Sequence, residues 1–410
     1  MHVGLFTPTW RLQAHPNGIE TYVHWMREEL VRQGHRVSIF TAWSKAPGPD
    51  VHVVVPSKLL QLRRWLRSRL RPTDSYPFGW GRSIAAAIRR VHRRDPLDIV
   101  EMEESFGWFG EVARALSIPI VVKLHGPAFM TLMAHESSSP VGKAKISDEG
   151  EALRRLSFLT APSRRTLDAT LARYDLRPRI SRHIVNPLTL PQSAPVWDLA
   201  RCDPQRLLFV GRFDQLKGGD IVLKAFAKLL VSRPGLTLVF VGPDGTIPGE
   251  DGRSLNLEEM RRALFPGDLA NHVVYLGGLP PSDIYALRAQ AFATIVASRW
   301  ENQSYTLLEA MLQGCPVISS DAGGQGEVIQ HGVTGLLSVV GDPSDLCEKL
   351  EILLDDMEQA ARLGKAAREY VLQHHAPSAV VSKTIECYRE AMAVRDSKGE
   401  ITTAPSPLSR

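Results

Sequence analysis

The sequence predicts an α/β protein of two domains, each a doubly wound parallel sheet. Three observations carry this. Short apolar runs alternate with amphipathic segments along most of the chain, the pattern of strands joined by crossover helices. The alternation breaks in a stretch containing Pro and Ser, Leu190 to Pro204, and then restarts. The length of 410 residues suits two such domains.

The elements follow in order. His2-Val-Gly-Leu-Phe-Thr7 reads as a strand, and an amphipathic segment from about Gly18 to Gln33 as the helix after it. Val37-Ser-Ile-Phe-Thr41, Val51-His-Val-Val-Val55, Asp98-Ile-Val-Glu101 and Ile118 to His125 continue the strands. Leu159 to Ser163 and Ile184-Val-Asn-Pro187 read as two more short strand ends. After the break come Arg206 to Gly211, Leu236 to Val241, His272 to Gly277, Ala293 to Ala297 and Pro316 to Ser320, with a helix from about Gly219 to Arg233. Helix is expected again from about Leu346 to His374 and from Ala379 to Ala393. We therefore expect an N-terminal domain over 1–190 and a C-terminal domain over 205–375. A helix over 376–395 should return to the N-terminal domain, and a polar tail over 396–410 should be disordered.

Composition narrows the function classes. Hydrophobic content of 44% and charged content of 23% are those of an ordinary soluble globular protein. No apolar run approaches the ~20 residues that span a bilayer, and the start, MHVGLFTPTW, lacks the basic and long apolar regions of a signal peptide. The four cysteines lie far apart with no C-x-x-C, which excludes a disulfide framework or a zinc motif. A reducing cytoplasm is the expected compartment.

Several strand-end loops carry residues suited to chemistry. In Phe209-Val-Gly-Arg212-Phe-Asp-Gln-Leu-Lys217-Gly-Gly-Asp220, two cations bracket a loop that runs into a helix. Helix amides and macrodipole favour an anion there, and arginine binds phosphate bidentately. The loop reads equally as a surface loop with solvated charges. Ser298-Arg-Trp-Glu-Asn-Gln-Ser-Tyr-Thr-Leu-Leu-Glu-Ala310 holds two acids, Glu301 in a strand-end loop and Glu309 inside the following helix. Ser304 is its expected N-cap and Gly314 its stop. Both acids can point into one cleft, or Glu301 can be solvated and Glu309 an ordinary exposed helix acid. His125 ends a strand, where a lone histidine is either structural or catalytic. Gly18 sits where a close backbone approach to a ligand, or merely a turn, would need glycine. Neither first strand-turn unit carries a G-x-G-x-x-G, which argues against an ordinary dehydrogenase. There is no Asp-x-Asp triplet, no Gly-x-Ser-x-Gly elbow and no His-Glu-x-x-His.

The combination is more specific than its parts. Gly211-Arg-Phe…Lys217-Gly, then Glu301-x₇-Glu309 running into Ala-Met-Leu-Gln-Gly-Cys-Pro-Val, then Gly323-Gly324…Glu327 and Gly332-Val-Thr-Gly335-Leu-Leu resemble glycosyltransferase family 4. In the first half Asn17-Gly-Ile-Glu20 and His125-Gly126 match. The resemblance implies the GT-B architecture, two Rossmann-like domains facing across a cleft. It implies retaining transfer of a sugar from a nucleotide diphosphate donor, UDP- or GDP-linked, without cofactor or bound metal. By the same resemblance Arg212 and Lys217 hold the diphosphate, Glu309 meets the ribose hydroxyls and Glu301 meets the donor sugar. The amides around Asn302, Gln303, Ser304 and Tyr305 approach the donor, Gly18 approaches the diphosphate, and His125 lines the reacting side. Two departures stand out: Val185-Asn186-Pro187 replaces the common Pro-Asn-Gly, and Asn-Gln-Ser-Tyr replaces the Gly-Phe-Gly that often follows the first acid.

The net charge of +5 hides an asymmetry. Residues 1–200 hold 28 Lys and Arg against 18 Asp and Glu, while the remainder holds 21 against 26. Lys58-Leu-Leu-Gln-Leu-Arg-Arg-Trp-Leu-Arg-Ser-Arg-Leu-Arg71 has six basic residues and no acid. As a helix it would align Leu59, Leu62, Leu66 and Leu70 beside Arg63, Arg67 and Arg71. It could pack its leucines on the domain, meet an anionic acceptor or lie on an anionic bilayer. Nucleic acid is not expected, because no aromatic stacking platform accompanies the charge. The expected activity is glycosyl transfer to a glycan, a lipid-linked saccharide or a small metabolite. A nucleotide-sugar-binding protein without transfer activity and a sugar-nucleotide epimerase are the alternatives.

Overall fold

The computed structural model describes residues 1–10, 17–44, 48–56, 79–132, 134–249 and 253–401. The chain forms two compact units. Nearly all of it up to Val185, with the last helix from Pro377, builds the first, and Asn186–Ala376 builds the second.

The first unit is a seven-stranded sheet in the order β3-β2-β1-β4-β5-β6-β7. Its strands are β1 (His2–Trp10), β2 (Arg36–Ser44), β3 (Val51–Val53), β4 (Ile99–Glu103), β5 (Ile120–Lys123), β6 (Phe158–Ala161) and β7 (Ile180–His183). Every pairing is parallel. Strands buried on both faces read as near-continuous apolar runs, and β4 and β5 are buried throughout. The seventh strand lies at Ile180–His183, just before the Ile184–Pro187 stretch that the sequence suggested. Phe6, Phe40, Val100, Met102, Phe109 and Val122 form its core. The last helix, Pro377–Ile401, passes the boundary expected at residue 396 and buries Val380, Val381, Ile385 and Tyr388. The basic segment Lys58–Arg71 and the end of the tail lie outside the described residues.

The second unit has a six-stranded parallel sheet, β12-β9-β8-β13-β14-β15, and a small antiparallel hairpin of β10 (Ile247–Pro248) with β11 (Ser254–Leu255). The sheet strands are β8 (Asp203–Val210), β9 (Thr237–Val241), β12 (Val273–Tyr275), β13 (Ala291–Val296), β14 (Val317–Ser320) and β15 (Leu336–Ser338). All six residues of β13, Ala-Phe-Ala-Thr-Ile-Val, are buried. Phe209, Phe213, Phe226, Phe240 and Phe292 dominate the core beside them. The stretch before β8 is packed rather than loose: Trp197 is buried and its indole N–H donates to Ala291 O at 2.7 Å. The single helix expected over 346–374 is two, Pro343–Asp355 and Met357–His374. Asp356 divides them, its carboxylate accepting from Gln359 N at 2.8 Å as an N-cap.

Candidate active site

In the second unit the carboxyl end of β8 opens into the loop holding Arg212 and Lys217, which feeds the helix Gly219–Ser232. Gly218 takes φ 73° at its cap, and a Cβ there would overlap Ala297 O at the end of β13. Only glycine fits this close crossing in a left-handed conformation. Asp214 organises the loop. One oxygen accepts from Arg212 Nε at 2.7 Å, the other from Lys217 N–H at 2.7 Å. Arg212 remains mostly exposed, at 58%. The Lys217 ammonium reaches across to the Glu301 carboxylate, which also accepts from Ser298 Oγ at 3.1 Å.

Glu301 is fixed from behind as well. Its carbonyl accepts from Gly324 N at 2.9 Å. Gly323, at φ 55°, passes so close that a Cβ would overlap the same carbonyl. Arg299 ties the cation loop to this acid loop. Its guanidinium donates to both carboxylate oxygens of Asp220 at 2.8 and 2.6 Å and to Gln215 O at 2.6 Å. Its own N–H donates to Leu216 O at 2.8 Å. Arg212, Lys217 and Glu301 therefore share one loop cluster at the carboxyl ends of β8 and β13.

The helix Tyr305–Gln313 starts at Ser304, whose hydroxyl accepts from Leu307 N, and stops at Gly314, φ 80°. The side chains before and at its start have structural partners. Gln303 Oε1 accepts from Asn186 N at 2.6 Å, and Tyr305 OH donates to Pro187 O at 3.3 Å. Asn302, Gln303 and Ser304 are all buried. Glu309, 21% exposed, pairs with Arg288 at 3.3 Å and not with the Lys217 cluster. Burial raises its carboxyl above the usual range while Arg288 pulls it back.

His125 lies in the first unit, just beyond β5, and Gly18 is the first residue of the helix Gly18–Arg32, which belongs to that unit from Ile19 on. Glu104 holds the His125 loop by its backbone: its oxygens accept from His125 N at 2.8 Å and Gly126 N at 2.5 Å. Glu149 does the same for Ala128 N at 3.0 Å. The imidazole stands edge-on to the Tyr22 ring, 4.9 Å between centroids. Burial, with Lys123 nearby, depresses its pKa to about 3, so the ring is neutral near pH 7. Burial and Glu103 push the Glu104 carboxyl up to about 7.

Sequence reasoning missed Asp214, Asp220, Arg288, Arg299, Glu104 and Glu149. Asp214, Asp220 and Arg299 stand inside the stretches quoted for their neighbours. The acids of Glu101-Met-Glu-Glu104, running off a buried strand, were a visible anomaly. Arg288 carried no signal beyond one cation in an ordinary helix. Among the described residues no three His, Cys, Asp or Glu side chains gather as a metal ion would require.

Two doubly wound parallel sheets, the second with a cationic loop running into a helix N-terminus, place the chain in the GT-B class. Solved structures agree on that fold. Sucrose-phosphate synthase from Thermosynechococcus elongatus superposes with a TM-score of 0.72 over 96% of this chain and 99% of its own, at 20% identity. Anabaena HepE, solved in complex with UDP-glucose, gives 0.67 over 94% and 99%, at 19% identity. Within the class, the chain belongs to the group 1 glycosyltransferases of the family 4 type. The model of glycosyl transferases group 1 matches residues 199–370, and that of the glycosyl transferase 4-like domain matches 17–187. The D-inositol 3-phosphate glycosyltransferase of Acidothermus cellulolyticus is 27% identical over 408 residues, 92% of this chain and 86% of that protein.

Proposed function

We propose that this glycosyltransferase moves a hexosyl-type sugar, with retention, from a UDP- or GDP-linked donor to a hydroxyl of a glycan, a lipid-linked saccharide or a small metabolite. The observation that carries the proposal is the pairing of Lys217 with Glu301 beside the N-terminus of the helix Gly219–Ser232. A cation and an acid held together there suit a sugar diphosphate, whose phosphates take the cations and helix amides while its sugar hydroxyls take the acid. In this reading Arg212 and Lys217 bind the diphosphate, and Glu301 exchanges its lysine partner for hydroxyls of the donor sugar. Glu309 accepts from the ribose. Backbone amides over Asn302–Tyr305 approach the donor, since the Gln303, Ser304 and Tyr305 side chains already have partners. Gly18 approaches the diphosphate, and neutral His125 lines the reacting side.

Chemically, the bond from the anomeric carbon to the phosphate oxygen breaks, the acceptor oxygen bonds to that carbon on the same face, and the acceptor proton leaves on the phosphate. Cations placed where charge develops on the departing diphosphate stabilise the transition state. The UDP-glucose complex of HepE favours a uridine donor, and the name of the inositol-phosphate relative favours a small polyol acceptor. A cytoplasmic enzyme that meets an anionic membrane through Lys58–Arg71 is part of the proposal. No helix among the described residues is long and apolar enough to cross a membrane. Nucleotide sugars screened by thermal shift, then assayed for turnover with each acceptor class, test it. Stabilisation by one donor with product formed supports the reading. Donor binding with transfer to no acceptor and none to water refutes it.

A further inference from the structure

We infer that Arg288, a residue that no ligand would touch, is the positioning residue that aims a carboxylate oxygen of Glu309 at a vicinal diol. This rests on the reading of Glu309 as the ribose acceptor. Arg288 is fully buried on the helix Pro281–Gln290, and a cation is rarely so deep without a specific partner. Its Nη2 donates to Glu309 Oε2 at 3.3 Å and its Nη1 to Gln313 Oε1 at 2.7 Å. Gln313 lies one helical turn beyond Glu309. Its amide donates to Tyr285 O and Pro195 O, both at 2.9 Å, so Gln313 itself cannot swing. The guanidinium is thus clamped against a fixed amide and presents one N–H to one carboxylate oxygen. Among the described residues no hydrogen bond engages Glu309 Oε1, and that side chain keeps 21% exposure. One oxygen is held from behind and the other is offered outward, the arrangement that lets a carboxylate accept from adjacent hydroxyls.

A further detail argues against simple stability. Among the described residues Arg288 Nε, which is buried, has no hydrogen-bond partner. An apolar side chain of similar volume would remove that unsatisfied donor, so the cation stays at a cost that its effect on Glu309 explains. Among the described residues, Tyr285, Tyr305 and Cys315 are titratable groups that interact with the pair. Tyr285 is pushed up to about 12 by burial and Glu309, Tyr305 is raised well above its usual range, and Cys315, near Arg288, is pushed up to about 12. All three stay protonated between pH 6 and 9. Within the pair, burial raises the Glu309 carboxyl and Arg288 pulls it back.

The test compares a ribonucleoside diphosphate with its 2′,3′-dideoxy analogue by calorimetry at pH 6.5 and pH 8.5. The ratio of the two affinities isolates the diol and cancels ionisation of the phosphate. In Arg288→Met the preference for the ribonucleotide should fall about tenfold, the size of one charge-assisted hydrogen bond, and the loss should narrow from pH 6.5 to pH 8.5, because burial raises the Glu309 carboxyl and the cation that pulls it back is gone. Saturating kcat should change far less than donor KM. Should the methionine variant fail to fold, Arg288→Lys carries the test, with a smaller loss that also closes as pH rises. A preference equal to wild type, or a loss the same at both pH values, overturns the inference. Glu309→Gln separates the two claims. If wild type discriminates, Glu309→Gln does not, and Arg288→Met keeps the preference, only the positioning role fails. If wild type and Glu309→Gln treat both nucleotides alike, the ribose assignment fails and the inference falls with it.

Discussion

Arg299→Met is the sharpest probe of how the loops of Lys217 and Glu301 are held. The substitution keeps the aliphatic stem and deletes three side-chain hydrogen bonds, two to Asp220 and one to Gln215 O. It also leaves Asp220, whose side chain is 8% exposed, without its cation. Breaking a buried pair costs about 3–5 kcal/mol. Arg299 is 22% exposed, so water relieves part of this and the cost drops to about 2–3 kcal/mol. For a unit of this size that is roughly 5–10 °C in Tm. Arg299 joins the loop of Lys217 to the loop of Glu301, so transfer should fall about a hundredfold, the scale of an ångström misplacement. Calorimetric unfolding and initial-rate assays read the two effects. Adding Asp220→Asn should recover much of the Tm, because the stranded charge is gone, but little of the rate. A Tm within 1 °C of wild type and an unchanged rate would refute the reasoning.

Other outcomes follow from the structure and, for the basic segment, from the sequence alone. Gly218→Ala should cost at least about 2 kcal/mol, from left-handed backbone strain and the overlap with Ala297 O; an unchanged unfolding midpoint would contradict it. His125, depressed to about 3 by burial, should stay neutral from pH 5 to 8 in an NMR titration, and a midpoint near 6.5 would show that the ring is not buried. Glu104 is raised from 4.5 to about 7, so the fold holds a proton that the unfolded chain releases. Its contribution is full below pH 4.5 and is lost as pH rises through 7. The stability advantage of wild type over Glu104→Gln should therefore shrink between pH 5 and pH 8, and a constant difference would count against the assignment. Charge reversal of Arg63, Arg64 and Arg67 should release the protein from anionic liposomes; wild type that never binds them removes the membrane contact.

Much of this was legible because parallel sheets write themselves plainly. Strands such as Ala291–Val296 are buried on both faces and need continuous apolar residues, and the loops at their carboxyl ends then hold Arg212, Lys217 and Glu301 by position alone. Spacing could not say which acid partners which cation. Glu301 and Glu309 sit eight positions apart, yet the first turns to Lys217 and the second to Arg288. Arg288 comes from a helix some twenty residues upstream, and nothing in its local pattern announces a buried cation. Asp356 shows the same limit at smaller scale: a helical periodicity ran unbroken to the eye, and one capping carboxylate divided it. Long-range polar pairs depend on tertiary approach, which periodicity does not encode.

The central claim is that Arg212 and Lys217 bind the diphosphate of the donor. Calorimetry with a nucleoside diphosphate and with the parent nucleoside, on wild type, Lys217→Ala and Arg212→Ala, tests it most directly. The account predicts that each variant folds and binds the diphosphate about tenfold to a hundredfold more weakly, one charge-assisted contact each, with nucleoside binding unchanged. Wild-type affinity for the diphosphate in both variants would contradict it.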